Sequence, residues 1–174
     1  IILGSIADGL TQVKGFLEGD DTYRTMNAFR QMGVKITDPD EGHLRIQGVG
    51  MRGLKASESV FDVGNSGTSM RLMTGILSAQ KFDSKITGDK SLIKRPMSRI
   101  ISPLSQMGAV LHSADGYPPI NIKGGQSLEG IHYEMPIASA QVKSSILLAG
   151  LFASGQTSVS EPAPTRNHTE AMLE

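Results

Sequence analysis

The densest chemical signal in the chain is the stretch 63–77, Val-Gly-Asn-Ser-Gly-Thr-Ser-Met-Arg-Leu-Met-Thr-Gly-Ile-Leu. Gly64 to Gly67 supply a tight turn, and Ser66 or Thr68 can cap the helix that follows. A glycine-rich turn at a helix start leaves backbone N–H groups free at the positive end of the helix dipole, which is a ready anion site. Arg71 adds a guanidinium on the first turn of that helix. The same residues also describe a plain capped helix with its arginine in solvent, and this stretch alone does not choose. Ser139-Ala140-Gln141 is a second helix start, carrying hydrogen-bonding groups suited to hydroxyls and phosphate. Arg71, Lys90, Lys94, Arg95, Arg99, Lys143 and Arg166 accompany these two starts. In a chain whose 17 basic and 17 acidic residues cancel, such a cluster implies a local ligand with several phosphates or carboxylates. One residue at a time, blander readings stand: Lys90 and Lys94 as solvated loop lysines, Arg99 paired with a surface acid.

Composition narrows the chemistry further. The zero net charge offers no global field for nucleic acid or an acidic membrane, and the absence of tryptophan argues against a base-stacking platform. With no cysteine there is no disulfide, thiolate metal site or cysteine nucleophile, which fits a reducing, cytoplasmic setting. His43, His112, His132 and His168 are never four apart, so no zinc site is expected; no cofactor is assigned. His168 reads as structural, and Asp20-Asp21 as helix-capping acids. No nucleophile elbow, phosphate-loop lysine motif or dinucleotide fingerprint occurs.

Positioning these groups requires regular elements, and their order repeats. Helix is expected over 1–8, 20–32, from Ser66 to 79, 96–107, 139–154 and from 167. Strands are expected over 10–17, 34–37, 43–47, 59–63, 81–87, 109–113, 119–123, 130–137 and 156–161. Gln31-Met-Gly33 recurs at Gln106-Met-Gly108, a shift of 75, and Gly9-x-Thr11-x-Val13 recurs at Gly155-x-Thr157-x-Val159, a shift of 146, twice 73. Ser66 and Ser139 are 73 apart. These spacings predict repeated βαβαββ units over about 1–52 (partial), 53–127 and 128–174 (partial), within one domain over 1–174. One helix per unit is apolar nearly all round, as at Ile146-Leu-Leu-Ala-Gly-Leu-Phe152, and belongs inside a core. The fold class that follows is α/β (α+β), helices inside and sheets outside, with equivalent helices presenting their starts on one face. Both ends read as cut mid-helix, so the chain is expected to be a piece of a longer protein.

Gly64-Asn-Ser-Gly-Thr-Ser-Met-Arg71, Arg95-Pro-Met-Ser-Arg99, Ser139-Ala-Gln-Val-Lys143 and Thr165-Arg-Asn-His-Thr169 occur in this order over nearly the whole chain. Together they resemble the EPSP synthase family, the 3-phosphoshikimate 1-carboxyvinyltransferases, in its bacterial second class. The resemblance implies an inside-out α/β barrel built from βαβαββ units, here part of the N-terminal lobe of a two-domain enzyme. It implies transfer of the enolpyruvyl group of phosphoenolpyruvate to the 5-hydroxyl of shikimate 3-phosphate, in the shikimate pathway. Gly67 and Arg95 would contact phosphoenolpyruvate; Ser139, Ala140, Gln141 and Arg166 would hold shikimate 3-phosphate. Asn65, Thr68 and Arg71 would shape the turn. Glyphosate would compete with phosphoenolpyruvate. The family's opening Ser-Lys-Ser-x-(Ser/Thr)-x-Arg segment and its second domain, with the catalytic aspartate and lysine, are not in this chain. No catalytic residue is therefore assigned here, and the chain alone is expected to be inactive. Two other readings fit the same fold. One is a UDP-N-acetylglucosamine enolpyruvyl transferase, which commonly carries a loop cysteine that this chain lacks. The other is a non-catalytic anion-binding module.

Overall fold

The computed structural model describes residues 1–174. In chain order the elements are α1 (Ile2–Ile6), β1 (Asp8–Val13), α2 (Asp20–Gln31), β2 (Lys35–Ile36), β3 (Leu44–Val49), β4 (Phe61–Asp62), α3 (Gly67–Leu77) and β5 (Ser84–Thr87). They continue with α4 (Ser98–Gln106), β6 (Val110–Ala114), β7 (Tyr117–Lys123), β8 (His132–Glu134), α5 (Ala140–Gly150), β9 (Ser158–Ser160) and α6 (His168–Leu173). A four-stranded sheet runs β4-β5-β7-β6, with β4 parallel to β5 and β7 antiparallel to both its neighbours. The order β1-β3-β2 of the first sheet reproduces β5-β7-β6, and the parallel pair β8-β9 reproduces β4-β5.

Local chemistry explains why the same pieces recur. Gly33 and Gly108 end α2 and α4 with φ of +88° and +99°, a conformation open to glycine at little steric cost. Each closure is sealed the same way: Val34 N–H donates to Phe29 O at 3.1 Å, and Ala109 N–H to Leu104 O at 3.0 Å. The β2–β3 and β6–β7 hairpins turn through Glu41-Gly42 and Asp115-Gly116, all four with positive φ, as the strand-compatible hairpin turn requires.

The sheets bury one face and wet the other. Ile120 and Ile122 of β7 point inward while Asn121 and Lys123 point out, and Leu44 and Ile46 of β3 alternate with Arg45 and Gln47. Between the sheets lie α3 and α5, both mostly buried. Their backbones approach so closely at Gly75 that a Cβ there would lie 2.3 Å from the Ser145 carbonyl oxygen. The buried hydroxyls toward the end of α3 are satisfied by their own helix, Thr74 donating to Met70 O and the C-cap Ser78 to Thr74 O, both at 2.7 Å. The architecture is the inside-out one, helices within and sheets without. No helix is long and apolar enough to cross a membrane.

Several elements differ from the sequence expectation. β1 stops at Val13 and not Leu17, because Gly15 at φ +69° turns the chain away and Leu17 is left 76% exposed. α1 ends at Ile6, since Asp8 and Gly9 are already paired with Val49 and Gly48. The strand expected over 81–87 is only Ser84–Thr87, and that over 130–137 only His132–Glu134. Pro96 lies ahead of α4 and not in its first turn; the Met97 N–H donates to Gly116 O at 2.7 Å, and the helix begins at Ser98. α5 ends at Gly150, four residues early, because Ser154 is drawn into hydrogen bonds with Leu128 O (2.9 Å) and Gly130 N–H (2.7 Å).

Candidate anion site at two helix starts

The turn from β4 into α3 is built from its own residues. Asp62 accepts from the Gly64 N–H at 2.8 Å, and Ser66 is the N-cap, its hydroxyl oxygen accepting from the Ser69 N–H at 3.1 Å. The Ser69 hydroxyl lies 2.7 Å from that of Ser66 and 2.6 Å from that of Thr25 on α2, so a third helix braces the turn. Gly67 and Thr68 occupy the first two positions of α3, where backbone N–H groups have no partner within the helix.

Arg71 folds back over this start. Its Nη1 donates to Gly67 O at 3.1 Å and to the Gln141 side-chain oxygen at 2.8 Å, while Gln141 donates from Nε2 to the Thr68 hydroxyl at 2.9 Å. Gln141 sits in the first turn of α5, whose N-cap is Ser139, so the two helices run parallel with their starts side by side. Arg95 follows a short 3-10 turn over Leu92–Lys94; it donates to the Asn65 side-chain oxygen, and its Nη1 is 3.5 Å from where a Gly67 Cβ would be.

Gly67, Thr68, Arg71, Asn65, Arg95 and Gln141 thus meet, with Ser139 and Ala140 at the head of the adjoining helix. Burial, and then the positive charges of Arg95 and Arg99, pull the Arg71 pKa below the ordinary arginine value. None of these three arginines has a carboxylate partner. Crowded, unneutralised guanidiniums beside two helix starts favour an incoming anion, at roughly half a positive charge per helix end in addition to the side chains. A cavity of about 470 Å³ between Leu54, Gln80, Gln126 and Phe152 lies past the other ends of α3 and α5. Helix C-termini there present carbonyl oxygens and disfavour an anion.

Two expected cations stand differently. Lys143 is not free: its side chain is 7% exposed, and its Nζ lies 3.0 Å from Glu161 and 2.6 Å from Glu170. Desolvation pulls its pKa down, but the hydrogen bonds to Glu170 and Glu161 outweigh that and hold it above the ordinary lysine value. Arg166 is exposed, on the connection from β9 to α6, which lies against α5 through the Ser144–Thr169 hydroxyl pair at 2.7 Å. Lys90 and Lys94 are exposed and unpaired, as is His168 at the start of α6. Asp20, in the first turn of α2, pairs with Arg24 at 3.3 Å. The Thr25–Ser69 brace and the acids around Lys143 were not anticipated. A lysine inside the apolar helix expected over 139–154 was the one available signal that buried partners exist.

A family model for EPSP synthase (3-phosphoshikimate 1-carboxyvinyltransferase) matches residues 1–174. The chain belongs to this family. It is 56% identical over 174 residues to the 3-phosphoshikimate 1-carboxyvinyltransferase of Alkalilimnicola ehrlichii, covering 99% of this chain and 39% of that protein. With the enzyme of the same name from Legionella pneumophila it shares 58% over 173 residues, covering 99% and 40%. The solved EPSP synthase of Acinetobacter baumannii superposes with a TM-score of 0.97 at 61% identity, over 99% of this chain and 39% of that one. The chain therefore spans about two fifths of the length of the relatives it matches.

Proposed function

We propose that the chain forms part of the N-terminal lobe of an enolpyruvyl transferase acting in the cytoplasm. Its reaction moves the enolpyruvyl group of phosphoenolpyruvate to the 5-hydroxyl of shikimate 3-phosphate and releases phosphate. The three unneutralised arginines at the paired starts of α3 and α5 carry this reading. Arg95 offers a planar fork to the carboxylate or phosphate of phosphoenolpyruvate, and Gly67 lets that ligand approach the backbone. Ser139, Ala140, Gln141 and Arg166 hold shikimate 3-phosphate. Asn65 orients Arg95, while Thr68 and Arg71 orient Gln141. Binding, orientation and charge stabilisation are this lobe's share of the reaction. The second domain supplies the groups that move protons. The repeated units fall at about 1–52, 53–127 and 128–174.

Titration of the chain with shikimate 3-phosphate, followed by backbone amide shifts, tests this reading. Residues 139–143 and 165–169 are expected to respond, and Arg166→Ala to weaken binding about tenfold, or about 1.4 kcal/mol. No response at either segment refutes the assignment.

A further inference from the structure

α5 is clasped from two sides. Gln141 and Ser145, one turn apart, face α3: Gln141 bonds Thr68 and Arg71, and the Ser145 hydroxyl donates to Arg71 O at 2.8 Å. Lys143 and Ser144 face the other way, toward the connection from β9 to α6. There Glu161 does two things at once. It accepts from the buried Lys143 ammonium, and it closes a short loop: Oε1 accepts the Thr165 N–H at 3.2 Å and Oε2 the Thr165 hydroxyl at 2.6 Å. Pro162 and Pro164 stiffen the loop between. Arg166, the next residue, is exposed and makes no hydrogen bond or ion pair of its own, so the backbone alone fixes where it starts.

We propose that Glu161, anchored by Lys143, is a positioning residue that holds Thr165 and thereby aims Arg166 toward the anion site from the flank of α5 opposite Arg71. The inference rests on the assignment of Arg166 as a shikimate 3-phosphate contact. It adds that the affinity of Arg166 for the anion is prepaid by an ion cluster built on the buried Lys143, and not by the arginine's own contacts. The hydrogen bonds to Thr165 and Lys143 hold the Glu161 carboxyl below its ordinary range, so it stays an acceptor at neutral pH.

Removing Glu161 would strand part of the charge on buried Lys143, so the test is made at Thr165, which is only half-buried. Thr165→Val keeps the shape and deletes the hydroxyl; Thr165→Ser restores it. In the chain as it stands, amide order parameters at Arg166 and Asn167 are expected near 0.85, to fall below about 0.6 in Thr165→Val, and to recover in Thr165→Ser. The dissociation constant for shikimate 3-phosphate is expected to rise about tenfold in Thr165→Val, to recover in Thr165→Ser, and to rise no further when Thr165→Val is added to Arg166→Ala. Order parameters unchanged by the valine, or already low in the wild type, overturn the proposal; so does a valine effect that adds fully to Arg166→Ala. Should the wild type ignore shikimate 3-phosphate altogether, the functional reading fails while the order parameters still decide the positioning role.

Discussion

Position 67 matters for what it leaves out. A Cβ there would come within 2.7 Å of the Arg71 Nη1, the atom that also holds Gln141. The end of a flexible side chain can yield, so Gly67→Ala is expected to fold. The displaced guanidinium, however, loosens Gln141 and crowds any anion seated on the helix start. In the full-length protein, the glyphosate inhibition constant is expected to rise about tenfold or more, and an unchanged constant would count against the placement of Gly67. The Lys143 cluster makes a second prediction, through pH. Glu161 is held below the ordinary 4.5, so its contribution to stability is complete above that value and is lost as pH falls through the folded pKa. Lys143 is raised above 10.5, so its contribution is complete below that value and is lost only as pH rises through its folded pKa. Thr165→Val is therefore expected to lower the urea midpoint near neutral pH, and to match the wild type more closely as pH falls through the folded pKa of Glu161. A gap just as wide in acid would show that the Thr165–Glu161 bond does not set the carboxyl's pKa. At this scale, what was legible in the sequence was whatever is local. The Ser66 cap and the Gly64–Gly67 turn rest on neighbours within three residues. The partners of Lys143 lie 18 and 27 residues away, and nothing in their own surroundings marks them as its acids.

Among the elements, the contact of α3 with α5 fixes the site, and Gly75 governs that contact. Any side chain at 75 meets the Ser145 carbonyl, a backbone group that cannot turn aside. Gly75→Ala is expected to cost roughly 1–3 kcal/mol by urea denaturation, as overpacking does. It is also expected to shift the amide resonances of Thr68 and Gln141, since spreading the helices parts their hydrogen bond. A stability within a few tenths of a kcal/mol of wild type would mean that the helices are not held this closely. The same contact explains why the repeat could be read before the fold was known. Thr68 and Gln141, each two places beyond its cap, stand 73 residues apart, which is the spacing of the repeat itself. Parallel copies of one helix touch at corresponding positions, so the period carries three-dimensional information. Strand lengths were not legible in this way. β4 pairs over Phe61 and Asp62 only, an extent set by its partner β5 and not by Val60, which is apolar but 43% exposed.

For the molecule as a whole, the decisive property of the site is what its side chains can and cannot exchange. On the proposed reading Arg71, Arg95, Gln141, Thr68 and Ser139 serve to bind and orient; none is a carboxylate or imidazole able to take a proton from a hydroxyl at pH 7. Of the acids near them, Glu161 and Glu170 hold Lys143, Asp20 pairs with Arg24, and Asp62 and Asp89 accept from backbone N–H groups of their own turns. Addition of a hydroxyl to an enolpyruvyl double bond needs proton transfer as well as charge stabilisation, and a one-sided cradle leaves its ligands open to water. The isolated chain is therefore expected to bind shikimate 3-phosphate but to release no phosphate from a mixture of that compound with phosphoenolpyruvate. Full-length protein in the same assay is expected to turn over, and to lose activity on Arg95→Ala chiefly through weaker phosphoenolpyruvate binding. Phosphate release by the 174-residue chain above a boiled control would place a proton-transferring group inside it. That outcome would overturn the division of labour between a binding lobe and a chemical one, while leaving the anion site itself in place.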